Sequence, residues 1–462
     1  MRLKQVGAVV AALSLGAALV ACGPNTNGNS GSGKASSSSA FSKTLSGDLK
    51  TYGYNPSDEV GKSRSDYATG ELKGVKVTMD TSNFDTQKFA AQAAAGQVPD
   101  LIQADRNVIA TLADKKLIMP MDQCYALWGV KPTDRYYPST IADVTYQGHV
   151  YAVPQFFQAS ALLVDKRVLK KAGVSLDQLD TSKPDQLVAA AKRMTKAEGG
   201  KPTVIGFAPD VPGSTSTWFT VFGGRINDGS GKPTLDDPKN VKALSWLKKL
   251  TDAQGGYAKN KSLLDSMDVF GAKNQYVKDQ VGVQVWAQWY VNVLAEYKSD
   301  VDIEAVPIKT LDGKTLAMAG GSALAIPTKS GNPSAACAWA IKVASPEAWQ
   351  QASDARQQTV TKTKAINTGL FTGSPVADQA NRKQYVKPSG DADFDQVINT
   401  YYDILPQNRS TGSSAVGQSI TDSLNNAVIV ALSGDKTPQQ ALAQAQSAAM
   451  RAWDQSNAGK KG

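Results

Sequence analysis

A chain of 462 residues, 41% hydrophobic and 20% charged, is too long for one small core and calls for two lobes or domains. Its formal charge of +9 is spread among acids with no dense basic block, which argues for a soluble basic surface and against nucleic acid as a partner. A single histidine, His149, rules out an HExxH helix, and with three cysteines it leaves little material for a His/Cys zinc site, so neither a metal nor another cofactor is expected.

Arg2 and Lys4 open the chain, and the run from Val6 to Val20 is almost wholly apolar or small. That run is shorter than the roughly 20 residues a membrane-spanning helix needs, and its flanks are those of a cleaved export signal. It ends Leu19-Val20-Ala21-Cys22, which resembles the bacterial lipobox. The resemblance implies a signal peptide over 1–21 and a diacylglycerol-bearing, palmitate-type anchor on Cys22, each buried methylene contributing ~0.8 kcal/mol. Residues 22–43 are rich in Gly, Ser and Asn and read as a flexible tether, because so little apolar surface cannot offset the entropy of ordering. Within it, Gly31-Ser32-Gly33-Lys34 lacks the strand and the spacing of a phosphate loop.

Leu49–Tyr54 alternates apolar and polar residues, Pro56–Gly70 has room for a helix, and Val75–Asp80 is a short β-branched strand behind Gly74. Phe84–Ala95 has helical apolar spacing closed by Gly96, and Leu101–Gln103 is a further strand. Alternation at this spacing predicts a parallel, helix-covered sheet. Strands are expected at Tyr151–Pro154, Ala161–Asp165, Thr203–Ala208 and Val281–Val285. Helices are expected at Asp165–Ala172, Pro184–Glu198, Val241–Ala253, Ser334–Ala344 and Thr437–Asp454. Asn227–Lys232 lacks the spaced acids and terminal Glu of a calcium loop and reads as a tight turn. In an oxidising compartment Cys124 and Cys337 either form a disulfide or remain two buried thiols.

Several segments, in order, resemble the family-1 extracellular solute-binding proteins, the maltose-binding-protein-like group. They include Ala94-Ala95-Gly96-Gln97-Val98-Pro99-Asp100-Leu101-Ile102, Leu117-Ile118-Met119-Pro120-Met121-Asp122 and Tyr146-Gln147-Gly148-His149-Val150-Tyr151-Ala152-Val153-Pro154. Further on come Pro233-Thr234-Leu235-Asp236-Asp237-Pro238, Gly320-Gly321-Ser322-Ala323-Leu324-Ala325-Ile326-Pro327 and Thr437-Pro438-Gln439-Gln440-Ala441-Leu442. The resemblance implies a two-lobed α/β fold of the type II periplasmic-binding-protein kind, with a hinge and a ligand cleft between the lobes. It places 44–157 and 304–344 in the first lobe, and 158–303 and 345–457 in the second. It also implies a monomer that serves an ABC permease from the extracytoplasmic face of the cell membrane. The long Ser/Gly tether points to a Gram-positive cell surface.

Sugar recognition needs flat apolar rings against C–H faces and fixed polar groups for hydroxyls. Asp105-Arg106 follows the strand Leu101–Gln103 at its C-terminal end, where α/β sheets place ligands, and resembles a sugar-binding Asp-Arg pair of the family. Trp289 stands where the family has a pocket tryptophan, with Trp286 nearby; Trp218 precedes a segment whose counterpart lines the second lobe; Gln158 falls at the hinge. As a bare reading, Asp105-Arg106 is equally a surface ion pair and the tryptophans are equally core residues. Ser410-Thr411-Gly412-Ser413-Ser414 lacks the aromatic that relatives place nearby. The expected function is capture of a carbohydrate, an oligosaccharide by preference, for an ABC importer and without covalent chemistry. Alternatives are the same fold holding a peptide or polyamine, or an exported polysaccharide-acting enzyme, although nothing in the sequence brings together the carboxylate pair a hydrolase needs.

Overall fold

The structure, a computed structural model, describes residues 40–458; the expected export signal, the expected lipid site at Cys22 and most of the expected tether lie outside the described residues. The first sheet is built where short β-branched runs alternate with helices: Gly47–Tyr52 pairs in parallel with Val75–Asp80 on one side and with Leu101–Asp105 on the other. Ser322–Ala325 and Ala152–Pro154 complete it, and both are antiparallel to their neighbours. The sheet is therefore mixed, where spacing alone predicts a parallel one. Ser322–Ala325 pairs from 217 positions beyond Asp105 in sequence, a register that local alternation does not encode.

The Pro-Asp step before Leu101 has a specific use. Asp100 accepts hydrogen bonds from Lys50 N (2.8 Å) and Asn332 N (2.9 Å), so one buried carboxylate joins the first strand to the start of helix Pro333–Val343. That helix is apolar along nearly its whole length and is buried accordingly, with Ala335, Trp339 and Ile341 packed among Leu49, Leu101 and Tyr125. Cys337 on this helix and Cys124 on helix Asp122–Leu127 form a disulfide across a Cα separation of 5.8 Å.

The second sheet is centred on Gln158–Asp165, which is antiparallel to Val281–Ala287, Ile303–Val306 and Thr315–Gly320. Lys201–Ala208 lies parallel to Val281–Ala287. Apolar side chains fill both faces: Phe207, Trp218, Leu244 and Ile420 on one, Tyr276, Tyr290, Phe394 and Tyr401 on the other. The C-terminal helix Pro438–Ala458 begins with a reciprocal cap, Gln440 N donating to Thr437 Oγ1 and Thr437 N to Gln440 Oε1.

The lobe limits differ from those the resemblance implies. Residues 304–320, expected in the first lobe, lie in the second sheet, because Ile303–Val306 and Thr315–Gly320 both hydrogen-bond to Gln158–Asp165. Helix Pro346–Thr363, expected in the second lobe, packs on helix Glu59–Glu71 of the first, where Trp349 meets Val60 and Arg356 pairs with Glu59. The chain leaves the first sheet at Pro154, enters the second at Gln158, and returns through Gly320-Gly321 to Ser322.

Gly321 sits at φ +140°, and a Cβ there would collide with the Phe156 carbonyl on the outgoing crossing. Gly321→Ala is expected to cost on the order of 1–3 kcal/mol, read as a lowered denaturation midpoint. An unchanged midpoint would show that the two crossings have room to separate.

Two buried carboxylates set a pH dependence. Burial pushes Asp378 up to about 7, opposed by a hydrogen bond from Thr372 N, and pushes Asp165 up to about 7, opposed by Arg167. In the range between an ordinary carboxylate value and about 7 the folded protein holds protons that the unfolded chain has released, so stability falls as pH rises through that window. Thermal midpoints are expected to drop between pH 5 and pH 8, and Asp378→Asn is expected to flatten that drop; an equally steep profile in the variant would contradict the assignment.

Candidate functional site

Between the two sheets lie three abutting cavities. The largest, about 840 Å³, opens over the strand ends of the first lobe at Gly53, Asn83 and Asp105, and is faced by Gln418, Thr421 and Asp422 of helix Gly417–Ser433. A second of about 320 Å³ is lined by Asp105, Gln158, Ser160 and Thr217, and a third of about 100 Å³ by Pro212, Asn227 and Thr421. Asp105 lines the first two, Thr411 the second and third, and Asn107 all three.

The local fold explains why these side chains are available. Asp105 ends strand Leu101–Asp105 and stands at the N-cap of helix Arg106–Asp114, where an Asp normally accepts from the first free amides. Here its side chain makes no capping bond, and it remains exposed to the cleft. The surrounding walls push its carboxyl upward, while the Arg106 charge opposes that shift. Asn107, exposed in the first turn of the same helix, adds an amide that both donates and accepts. Gln158, half-buried at the start of its strand, enters the second cavity opposite Ser214 and Thr217. The walls therefore offer short polar groups held on strand ends and helix starts. Among the described residues no group of three or more His, Cys, Asp or Glu side chains is placed to hold a metal ion.

The sequence model of the bacterial extracellular solute-binding proteins matches residues 58–349, more than half of the chain. The chain belongs to this family. Among curated relatives, the arabinooligosaccharide-binding protein of Bacillus subtilis (strain 168) is 23% identical over 205 residues, which is 43% of this chain and 46% of that protein. The chain thus aligns with about half the length of that relative. Among solved structures, mannobiose-bound CpMnBP1 superposes with a TM-score of 0.70 at 22% identity, over 88% of this chain and all 100% of that one. An ABC substrate-binding protein of Listeria monocytogenes in complex with cycloalternan gives 0.68 at 17% identity, covering 88% and 99%. Maltose-bound MalE3 of T. maritima gives 0.65 at 19%, covering 88% and 100%. At these identities the likeness establishes the two-lobed binding-protein fold.

In this solute-binding protein the expected site residues separate into four groups. Asp105 and Gln158 line the cleft. Arg106 reaches the cleft floor but is only 2% exposed, and three of its five N–H donors are engaged by the protein: Nε donates to Asp143 (3.2 Å), Nη1 to Phe156 O (2.9 Å) and Nη2 to Gly320 O (2.7 Å). It lines the second cavity beside Asp105, with these three bonds directed to the protein frame. Trp218 departs furthest. Its ring is fully buried between Phe207 and Trp246, and its Nε1 donates to Pro209 O (2.8 Å), so it is a core residue of the second lobe whose neighbour Thr217 meets the cavity instead. The helix Thr215–Val221 turns its apolar residues inward, and tryptophan follows that face.

Trp286 and Trp289 stand at the end of strand Val281–Ala287, where Ala287 is paired with the cavity residue Ser160. Both are half-buried and line none of the three cavities. Trp286 stacks on Tyr290 at 3.9 Å, and Trp289 faces Phe270, which is 66% exposed. The aromatic that does line the cleft is Phe84, half-buried against Tyr52 and Phe89 at the rim of the largest cavity. Sequence reading missed Phe84 because it takes the residue as the start of a helix; Phe84 lies in the loop before that helix, and its packing against Tyr52 and Gly53 at the end of the first strand is tertiary. Asn107 was missed too, although its place one residue beyond Asp105-Arg106 was a usable signal.

Proposed function

We propose that this solute-binding protein captures a neutral oligosaccharide between its lobes and delivers it to an ABC permease, held at the extracytoplasmic face of the membrane by a lipid on Cys22. The observation that carries the reading is the uncommitted Asp105 carboxylate beside Asn107, where three abutting cavities meet between the lobes. Hydroxyls are donors and acceptors at once, and a carboxylate with an adjacent amide serves both needs. Phe84 supplies an apolar face at one rim. The arabinooligosaccharide-binding relative and the mannobiose- and maltose-bound neighbours support a carbohydrate, and the lipobox with its tether supports anchoring. No helix of the described residues is long and apolar enough to cross a membrane.

A thermal-shift screen against oligosaccharides, amino acids, polyamines and peptides tests the ligand. A ligand at 100 times its dissociation constant is expected to stabilise the protein by about 2.7 kcal/mol. A response confined to one oligosaccharide class, with no product on chromatography, is the expected result. A flat sugar panel with a peptide or polyamine hit would overturn the ligand class, and turnover of the sugar would overturn the binding role.

A further inference from the structure

We propose that Arg106 and Asp143 are positioning residues that set the hinge between the lobes, and that Ser410 completes them; the functional meaning rests on the cleft being the binding site. Arg106 begins the first-lobe helix Arg106–Asp114, and Asp143 ends the first-lobe helix Pro138–Asp143. Through one guanidinium they grip both passages of the chain between the sheets: Phe156 O belongs to the outgoing crossing and Gly320 O to the returning one. The Arg106 amide also donates to Gly321 O at 3.0 Å. The second carboxylate oxygen of Asp143 accepts from Ser410 Oγ. Ser410 follows Asn408–Arg409, a short strand paired with Thr315–Gly320 of the second sheet.

The hydroxyl-rich segment to which Ser410 belongs has no role in the sequence reading beyond a subsite lacking its aromatic. In the structure it joins the lobes. Asn408 bonds to Ser139, Ser413 Oγ donates to Thr145 O (3.2 Å), and Thr111 Oγ1 donates to Ser414 O (3.3 Å). On its other side Asn227 Nδ2 donates to Thr411 O, and Ser414 Oγ to Gly231 O, so the segment is tied to the second lobe as well.

A guanidinium this deeply buried tolerates no loss of partners, because an unpaired charge away from water is strongly disfavoured. Moving one lobe relative to the other shifts Phe156 O, Gly320 O or Ser410, and each shift strips Arg106 or Asp143 of a partner. The node therefore favours one rest angle. It also holds Asp105 and Asn107, one residue to either side of Arg106, in their cleft-facing positions. Thr411, next to Ser410, lines two of the cavities, so a ligand there bears on the same node.

Hydrogen exchange on the purified protein, without any ligand, tests this. Ser410→Ala removes one hydroxyl and leaves the ion pair, and Arg106→Lys keeps the charge but loses the fork. Both are expected to raise exchange at least about tenfold in peptides covering 155–160, 319–323 and 408–414, while 47–52 and 281–287 keep their protection. Ser410→Thr is expected to restore protection. Unchanged exchange at the crossings in Ser410→Ala, or a rise spread evenly through both sheets, would overturn the proposal and leave an ordinary buried strut. A flat ligand panel would overturn the carbohydrate reading while this test still decides the hinge.

Discussion

Asp105→Ala is expected to weaken oligosaccharide binding by about 10- to 100-fold, the effect of losing one hydrogen bond to a charged group at about 1.5–3 kcal/mol. Among the described residues the Asp105 carboxylate has no competing task. It stands at a helix start without capping it and borders two of the three cavities. A carboxylate already engaged by protein donors would have to be freed first, and its removal would cost stability as much as affinity. For Asp105 the two separate: calorimetric affinity is expected to fall while the denaturation midpoint moves little. Arg106→Lys is expected to show the opposite balance, with altered hinge protection accompanying any loss of affinity. Wild-type affinity in Asp105→Ala, for a sugar that the protein binds, would move the ligand out of this part of the cleft.

The second large effect is on stability. Replacing both Cys124 and Cys337 by alanine is expected to cost about 2–4 kcal/mol. The bridge spans 213 positions in sequence and joins two helices of the first lobe, so the cut chain regains the freedom of a very long loop when unfolded. Both residues are fully buried and small, so truncation to alanine leaves little void. Urea denaturation of the double variant, and of the wild type with and without dithiothreitol, measures it. Equal midpoints would mean that the two sulfurs contribute as packed thiols. Because the bridge lies within one lobe, ligand affinity is expected to survive its removal far better than stability does.

Much of the first lobe was legible because its signals are local. Val75–Asp80 occupies the residues its β-branched run predicts, and Pro99-Asp100 carries its meaning in one carboxylate that bonds two backbone amides. The end of the strand after Asp100 located Asp105, since α/β sheets expose ligand sites at strand ends whatever the ligand. Trp218 shows where such reasoning stops. Tryptophan suits a sugar face and a hydrophobic core equally well, and only the packing of Phe207 and Trp246 around it decided for the core. Arg106 illustrates the same limit for charge: its partners Asp143, Phe156 and Gly320 are distant in sequence, so its direction could not be read from its neighbours.

By itself the sequence determined the family, the two-lobed α/β class that the family carries, and the strand end that presents Asp105. The family and its two lobes rest on the resemblance of motifs taken in order, and the strand end on a local run of strand-forming residues; each signal acts over a few residues. Only the tertiary structure decided that residues 304–320 belong to the second sheet, that helix Pro346–Thr363 belongs against the first lobe, and that Arg106 grips the crossings. Each depends on pairing between segments far apart in the chain, where the competing partners are chemically alike and the choice is made by burial and by satisfying every buried polar group at once.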